Sequence, residues 1–337
     1  MDGGFVVSGA GRIRITKSIP LIAVFIRSVV IYNIAMDTDI IIRAYAKVNL
    51  SLGVGSIRSD GYHPVEMVLC SVDLYDTVEI WMQDRGVTIE TDVPGLPADG
   101  RNTACRAASA FLQAADIDQG ARIRIGKDIP VAAGLAGGSA DAAAVLSGLN
   151  RLCEHPLSQA SLLHIAGEIG SDVPFCLTGG LALATGRGTE LRALPSLSEG
   201  PVLVMVNPGI ALSTAAVYGR FDALPPPPRP DNPGLMAALA DADWQKAGRH
   251  MVNMLEPAAD SLCPAIPPIR DALLREGAIA ARMSGSGPTV FGLFADRESA
   301  RAAADRLGAA YPFVRVVSPV SMGTAWGEGK RPPMQNY

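Results

Sequence analysis

Downstream of Asp39 the spacing of apolar residues changes from segment to segment, and each spacing predicts a different element. Ile40-Ile-Ile-Arg-Ala-Tyr-Ala-Lys-Val-Asn-Leu50, Thr77-Val-Glu-Ile-Trp81 and Val87-Thr-Ile-Glu90 are rich in β-branched and aromatic residues and are separated by turn formers. That pattern predicts a sheet at the start. Asn102 is placed to cap a helix running to about Ala115, and Ala121-Arg-Ile-Arg-Ile125 alternates as a half-buried strand. Beyond a glycine-rich stretch, Ala142, Val145, Leu146, Leu149 and Leu152 fall on one helical face, so a helix should begin close to Ser139. A second helix from Ser158 to Ile169 presents Leu162, Ile165, Ala166 and Ile169, and Gly170 stops it just before Asp172.

Pro201-Val-Leu-Val-Met-Val206 reads as a buried strand. The proline-rich segment from Leu224 to Gly234 reads as a stiff surface connection, neither helix nor central strand. The order after it is helix, helix, strand at 278–283, strand at 289–294, helix at 298–307 and strand at 313–318. The fold class is α+β in two domains, 37–198 and 199–327, with an extension at 1–36 and a disordered tail at 328–337.

Composition narrows the class. A chain of 337 residues has room for two cores without disulfides, and its five cysteines are scattered, with no Cys-x-x-Cys pair. The expectation is a reduced, cytoplasmic protein without structural zinc. A net charge of -4 gives no global basic field for nucleic acid or an anionic membrane. The first 35 residues carry Arg12, Arg14 and Lys17 ahead of the apolar run Leu21–Ile26 and then Arg27. That run falls far short of the roughly 20 residues that span a bilayer. Asn33-Ile-Ala35 also lacks the first small residue of a signal-peptidase site. Folding is therefore expected to begin near Met36, after a misplaced start or a poorly ordered arm.

The candidate chemistry centres on Pro130, Val131, Ala132, Ala133, Gly134, Leu135, Ala136, Gly137, Gly138, Ser139 and Ala140. Small side chains let backbone amides converge, and a helix start adds its positive dipole end, which together make a phosphate nest. The alternative is a turn that only lets a helix pack closely on a sheet. The chain has no Gly-Lys-Ser/Thr, no dinucleotide fingerprint after a strand and no protein-kinase catalytic motifs, so a different phosphate loop is required.

Three motifs in order supply one. Ala44-Tyr-Ala-Lys-Val-Asn-Leu50, Pro-x-x-x-Gly-Leu-x-Gly-Gly-Ser at 130–139, and Arg282-Met-Ser-Gly-Ser-Gly-Pro-Thr-Val290 resemble the three motifs of the GHMP kinases. Ala136 stands where many relatives have glycine, and the proline run at 225–228 is atypical. Arg58-Ser-Asp-Gly-Tyr-His63 and Gly170-Ser-Asp-Val-Pro-Phe175 resemble the branch of that family acting on a cytidine-diphosphate-linked methylerythritol, in non-mevalonate isoprenoid precursor biosynthesis. The resemblance implies a ribosomal-S5-domain-2-like N-terminal domain and a ferredoxin-like C-terminal one. It also implies ATP as phosphoryl donor, Mg2+ without a dedicated protein cage (Ser139 a possible ligand), and a small-molecule acceptor.

Residue roles follow from the same resemblance. Asp172 alone reads as a helix N-cap and Lys47 as an edge-strand lysine; the family makes them a catalytic base and its cation. Asn49, two residues from Lys47 and on the same strand face, would position the acceptor. Tyr62 and His63 would stack on and hydrogen-bond the cytosine, although a lone loop histidine is usually solvated. Thr214 and Tyr218 would complete the acceptor site, with core packing the alternative for Tyr218. Asn102 and Lys127 would help grip the nucleotide. Ser284, Gly285, Ser286 and Gly287 read as a hairpin turn, and in the family as a second glycine loop against the phosphate site. Homoserine or mevalonate kinases and a silent ATP sensor are the competing readings; Asp60-Gly-Tyr-His63 argues against the former and the Lys47/Asp172 pair against the latter.

Overall fold

The computed structural model describes residues 40–197 and 201–327. The expected extension at 1–36 and tail at 328–337 lie outside them. The first strand, β1 (Ile40–Val54), is buried almost throughout and pairs antiparallel with the longer β2 (Val65–Gln83). The sequence reading found only the far end of β2. Its near half, from Met67 to Leu74, is mostly buried, and a strand covered on both faces loses the alternation that would betray it.

Two register irregularities interrupt the β1–β2 ladder, between Tyr45 and Lys47 and between Asn49 and Ser51. They bracket the stretch carrying Lys47 and Asn49. Such bulges re-aim side chains locally. Around this hairpin the first sheet runs β11-β1-β2-β4-β3, where β3 is Val87–Thr91, β4 Gly120–Gly126 and β11 Thr324–Trp326. β5 (Leu181–Thr185) extends it from the near half of β2, and β6 (Glu190–Ala193) pairs with β5. The last strand thus leaves its expected half of the chain and pairs with β1, Thr324 opposite Ala44.

Helices α1 (Thr103–Ala114), α2 (Gly137–Leu152), α3 (Gln159–Ile169) and α4 (Val173–Thr178) accompany this sheet. Asn102 caps α1 and Ser158 caps α3 through their side-chain oxygens, as their positions predict. Ala142, Val145, Leu146 and Leu149 of α2 join Val48, Val78 and Ile80 of the strands in one buried cluster.

The second sheet holds β7 (Val202–Asn207), β8 (Ala280–Met283), β9 (Val290–Phe294) and β10 (Phe313–Val317), all antiparallel, in the order β10-β7-β9-β8. In chain order that is fourth, first, third, second, the arrangement of a ferredoxin-like unit.

The two helices expected ahead of β8 are four short ones that follow α5 (Thr214–Asp222). They are α6 (Asn232–Ala240), α7 (Trp244–His250), α8 (Glu256–Leu262) and α9 (Ile266–Arg275); α10 (Arg297–Leu307) precedes β10. The predicted non-helical segment is correct through 230 but not at its end, because α6 begins at Asn232 with Pro233 in its first turn. Proline there loses no helix bond, since the first-turn amides have no partner in the helix, and its φ is already helical. Among the described residues no helix is long and apolar enough to cross a membrane. All five cysteines are free thiols.

Candidate active site

The phosphate loop leaves β4 and enters α2 through backbone that only small residues tolerate. Ala132, Gly134 and Ala136 all have positive φ, at 53°, 77° and 59°. At Gly134 a side chain is excluded twice over, because an added Cβ would lie 2.1 Å from the Ser284 carbonyl oxygen. Ala136 occupies the N-cap position of α2 and offers no capping group, which leaves the amides of the first helical turn to an oxyanion.

The turn between β8 and β9 fastens to this loop, so Ser284–Gly287 is a hairpin turn that also lies against the glycine-rich loop. Ser284 Oγ donates to the Gly134 carbonyl at 2.9 Å and accepts from the Asn49 amide at 3.2 Å. The Thr289 amide donates to Ala133 O at 3.3 Å, and the Lys47 amide to Leu135 O at 3.2 Å. Two glycine loops and the bulged strand form one rigid cradle.

Lys47 and Asp172 meet at its edge. Lys47 Nζ lies 3.4 Å from Asp172 Oδ2 and donates to Asn49 Oδ1 at 2.7 Å, and the lysine side chain is 5 % exposed against 29 % for the aspartate. Asp172 does occupy the N-cap position of α4, yet its carboxylate makes no capping bond. The side chain is thus free of the structural duty that its position suggests. Asn49 Nδ2 is turned to Met67 Sδ, 3.2 Å away.

A second buried lysine is held very differently. Lys127 Nζ is gripped by Asp76 Oδ2 and, at 2.7 Å, by Asp141 Oδ2. Asp76 Oδ1 in turn accepts the amides of Asp128 (2.7 Å) and Ile129 (2.8 Å), which anchors the strand-to-loop junction. Burial, and then the neighbouring Asp141 charge, hold the Asp76 carboxyl well above the usual carboxylate range. Burial likewise raises Asp141. For Lys127 burial works against the charge, but the two carboxylates outweigh it and raise its pKa. Asp141 Oδ1 is the buried side-chain oxygen left without a partner among the described residues. Asn102 is also engaged: its oxygen caps α1 and its amide donates to Pro97 O at 2.9 Å. Lys127 and Asn102 both line the cavity, but their polar atoms already have partners within the chain.

At the other end lie Tyr62, His63, Thr214 and Tyr218. His63 is tucked in rather than solvated, with 7 % of its side chain exposed. Its Nδ1 donates to Gly55 O at 2.8 Å, its Nε2 lies 3.3 Å from Asp222 Oδ1, and its ring centre is 5.4 Å from that of Tyr218. Burial, followed by the Asp172 charge, pushes the Tyr218 hydroxyl up to about 12. Thr214 Oγ1 and Ser286 Oγ are hydrogen-bonded at 2.8 Å. Tyr62 is half exposed and carries the guanidinium of Arg187 over its ring, Cζ 3.8 Å from the centroid.

One cavity of about 1050 Å³ joins both ends and is lined by Lys47, Asn49, the glycine loop, Asp172, Tyr62, His63, Thr214 and Tyr218. Sequence reasoning missed Asp76, Asp141, Arg187 and Asp222. An aspartate inside the apolar face after Ser139 was the available signal for Asp141; nothing local marks Arg187.

Known proteins share the chain's sequence and fold. The GHMP kinases N terminal domain model matches residues 102–180, and the GHMP kinases C terminal model matches residues 235–312. The 4-diphosphocytidyl-2-C-methyl-D-erythritol kinase of Caldicellulosiruptor saccharolyticus is 40% identical over 268 residues, 79% of this chain and 92% of that protein. A solved 4-(cytidine 5'-diphospho)-2C-methyl-D-erythritol kinase superposes with a TM-score of 0.68 at 34% identity, covering 83% of this chain and 99% of that one. Homoserine kinase from Cytophaga hutchinsonii superposes equally well, with a TM-score of 0.70 over 86% of this chain and 98% of that one. At 24% identity that likeness speaks for the shared fold alone. By sequence and by fold the chain belongs to the GHMP kinases, in the 4-diphosphocytidyl-2-C-methyl-D-erythritol kinase family.

Proposed function

We propose that this enzyme transfers the γ-phosphoryl group of ATP to the C2 hydroxyl of 4-diphosphocytidyl-2-C-methyl-D-erythritol, in the cytoplasm. The observation that carries the reading is the Lys47–Asp172 pair, 3.4 Å apart, on the cavity that the uncapped phosphate loop also lines. Asp172 accepts the proton of the acceptor hydroxyl as its oxygen attacks the γ-phosphorus. The bond to the β–γ bridging oxygen breaks, and ADP leaves with the electron pair. Lys47 stabilises negative charge on the reacting oxygens. Asn49 fixes the direction of the Lys47 ammonium.

The amides at the start of α2 receive the ATP phosphates, and Ser284–Gly287 holds the loop against them. Mg2+ neutralises charge on the transferring phosphoryl when bound. Among the described residues no group of three His, Cys, Asp or Glu side chains could cage it. The ion would be held chiefly by phosphate oxygens, with Ser139 and Asp141, whose Oδ1 has no partner among the described residues, as the side chains that could add a ligand. Tyr62 and Tyr218 hold the cytosine, His63 backs Tyr218 at the base edge, and Thr214 with Ser286 closes the acceptor side. We assign the ATP-binding domain to 37–198 and the C-terminal domain to 199–327.

A coupled ADP-release assay tests the reading. ADP release should depend on the cytidine-diphosphate-linked methylerythritol, with mevalonate and homoserine near background. Turnover of either of those instead, or ATP binding without transfer to any acceptor, would overturn it.

A further inference from the structure

Resting on the functional reading above, one cation of the cavity remains without either a carboxylate partner or a role among the described residues. Two polyanions must share this cavity, so its cations matter. Lys47 is opposed by Asp172, Lys127 by Asp76 and Asp141, and Arg101 by Asp99 at 2.9 Å. His63 faces Asp222. Arg187 alone among these cavity-lining cations has no carboxylate partner among the described residues; its guanidinium lies over the Tyr62 ring.

The Arg187 backbone is fixed in place. It sits in the β5–β6 turn, whose Gly188 amide donates to Thr185 O at 2.9 Å, while Gly186 O accepts the Val65 amide at 2.8 Å, two residues beyond His63. At Gly188 an added Cβ would lie 2.9 Å from the Met67 methyl and 3.8 Å from Ser171 Cβ, the residue before Asp172. The turn therefore bridges the base end and the transfer end of the cavity. A cytidine diphosphate bound between those ends must pass its diphosphate across this turn.

We propose that Arg187 binds the diphosphate of the acceptor, with Tyr62 holding the guanidinium in place. A guanidinium over an aromatic ring keeps N–H donors free at the ring's rim, in the fork geometry that matches phosphate oxygens. The cation–π contact in turn steadies Tyr62 for the base on its open face. Arg187 would thereby select nucleoside diphosphate-linked acceptors over small free alcohols.

The test measures competitive inhibition by cytidine, CMP and CDP in the wild-type enzyme, Arg187→Met and Arg187→Lys. In wild type, affinity should climb from cytidine to CDP. In Arg187→Met the CDP inhibition constant should rise ~10-fold or more while that for cytidine moves less than about 3-fold, the loss expected for charge-assisted hydrogen bonds. Arg187→Lys should recover part of the CDP affinity, and KM for ATP should hold in both variants. Equal losses for cytidine and CDP would mean that Arg187 only braces Tyr62, and unchanged CDP inhibition would remove it from the site; either result overturns the proposal and leaves the functional reading standing. If CDP fails to compete in wild type, the functional reading itself falls.

Discussion

The two ends of the cavity are built on opposite principles. At the transfer end Lys47 is 5 % exposed and the loop is tied through its backbone, the carbonyls of Ala133, Gly134 and Leu135 each accepting a hydrogen bond from another segment. At the base end Tyr62 is half exposed, and the two tyrosines are held by ring contacts, Tyr62 under the Arg187 guanidinium and Tyr218 against His63. Phosphoryl transfer needs donors fixed where charge develops, so rigidity matters there. Binding a planar base needs area and tolerates adjustment. Damage at one end should appear in kcat and at the other in the acceptor KM.

The sharpest break is at the transfer end. Asp172→Ala or Lys47→Ala should lower kcat by on the order of 10²-fold or more with little change in KM for ATP. Steady-state kinetics decides this, and near-normal turnover in Asp172→Ala would remove it as the base. Gly134→Ala comes next. Its left-handed φ alone should cost ~1–3 kcal/mol of stability, and the collision with Ser284 O adds to that, so urea unfolding should show a clear loss together with a raised KM for ATP.

Tyr62→Ala should raise the acceptor KM by an amount equivalent to ~1–3 kcal/mol of lost stacking and leave KM for ATP alone. An unchanged acceptor KM would take Tyr62 out of the base site. Ala136→Gly is a smaller effect of the opposite sign. Relieving a left-handed alanine returns about 1 kcal/mol at most, since glycine is freer in the unfolded chain, and a slightly higher urea midpoint is expected.

The buried triad offers a prediction in pH. A carboxyl whose pKa is raised on folding holds its proton more tightly in the native state, so its ionisation above the ordinary carboxylate range costs stability. Asp141→Asn cannot ionise. Its stability relative to wild type should therefore increase as pH climbs from 4 to 8, and an advantage that shrinks with pH would contradict the burial argument.

The same two ends differed in how much of them could be read from sequence. The glycine-rich loop is legible because its requirement is local: consecutive small residues at a helix start. Lys47 and Asp172 were legible only through the family resemblance, since alone each has a plain structural reading. Asp76 and Lys127 are 51 positions apart and meet only because β2 and the end of β4 are neighbours in the sheet. Arg187 meets Tyr62 through a turn between two strands that carried no readable alternation. Pro233 starts a helix, as Pro257 and Pro267 do, whereas the sequence reading kept the whole segment up to Gly234 non-helical. For Asp76, Lys127 and Arg187 what was missing was a contact between segments, which no local pattern encodes.

The most direct test of a cavity with separable ends combines Tyr62→Ala with an acceptor stripped of its cytidine diphosphate, free 2-C-methylerythritol, read as kcat/KM. Removing the tag should slow the wild-type enzyme severely, and Tyr62→Ala should slow reaction of the full acceptor while leaving the stripped one at the wild-type rate. Equal slowing of both acceptors by Tyr62→Ala would show that the base end also shapes the transfer chemistry, and would contradict the account.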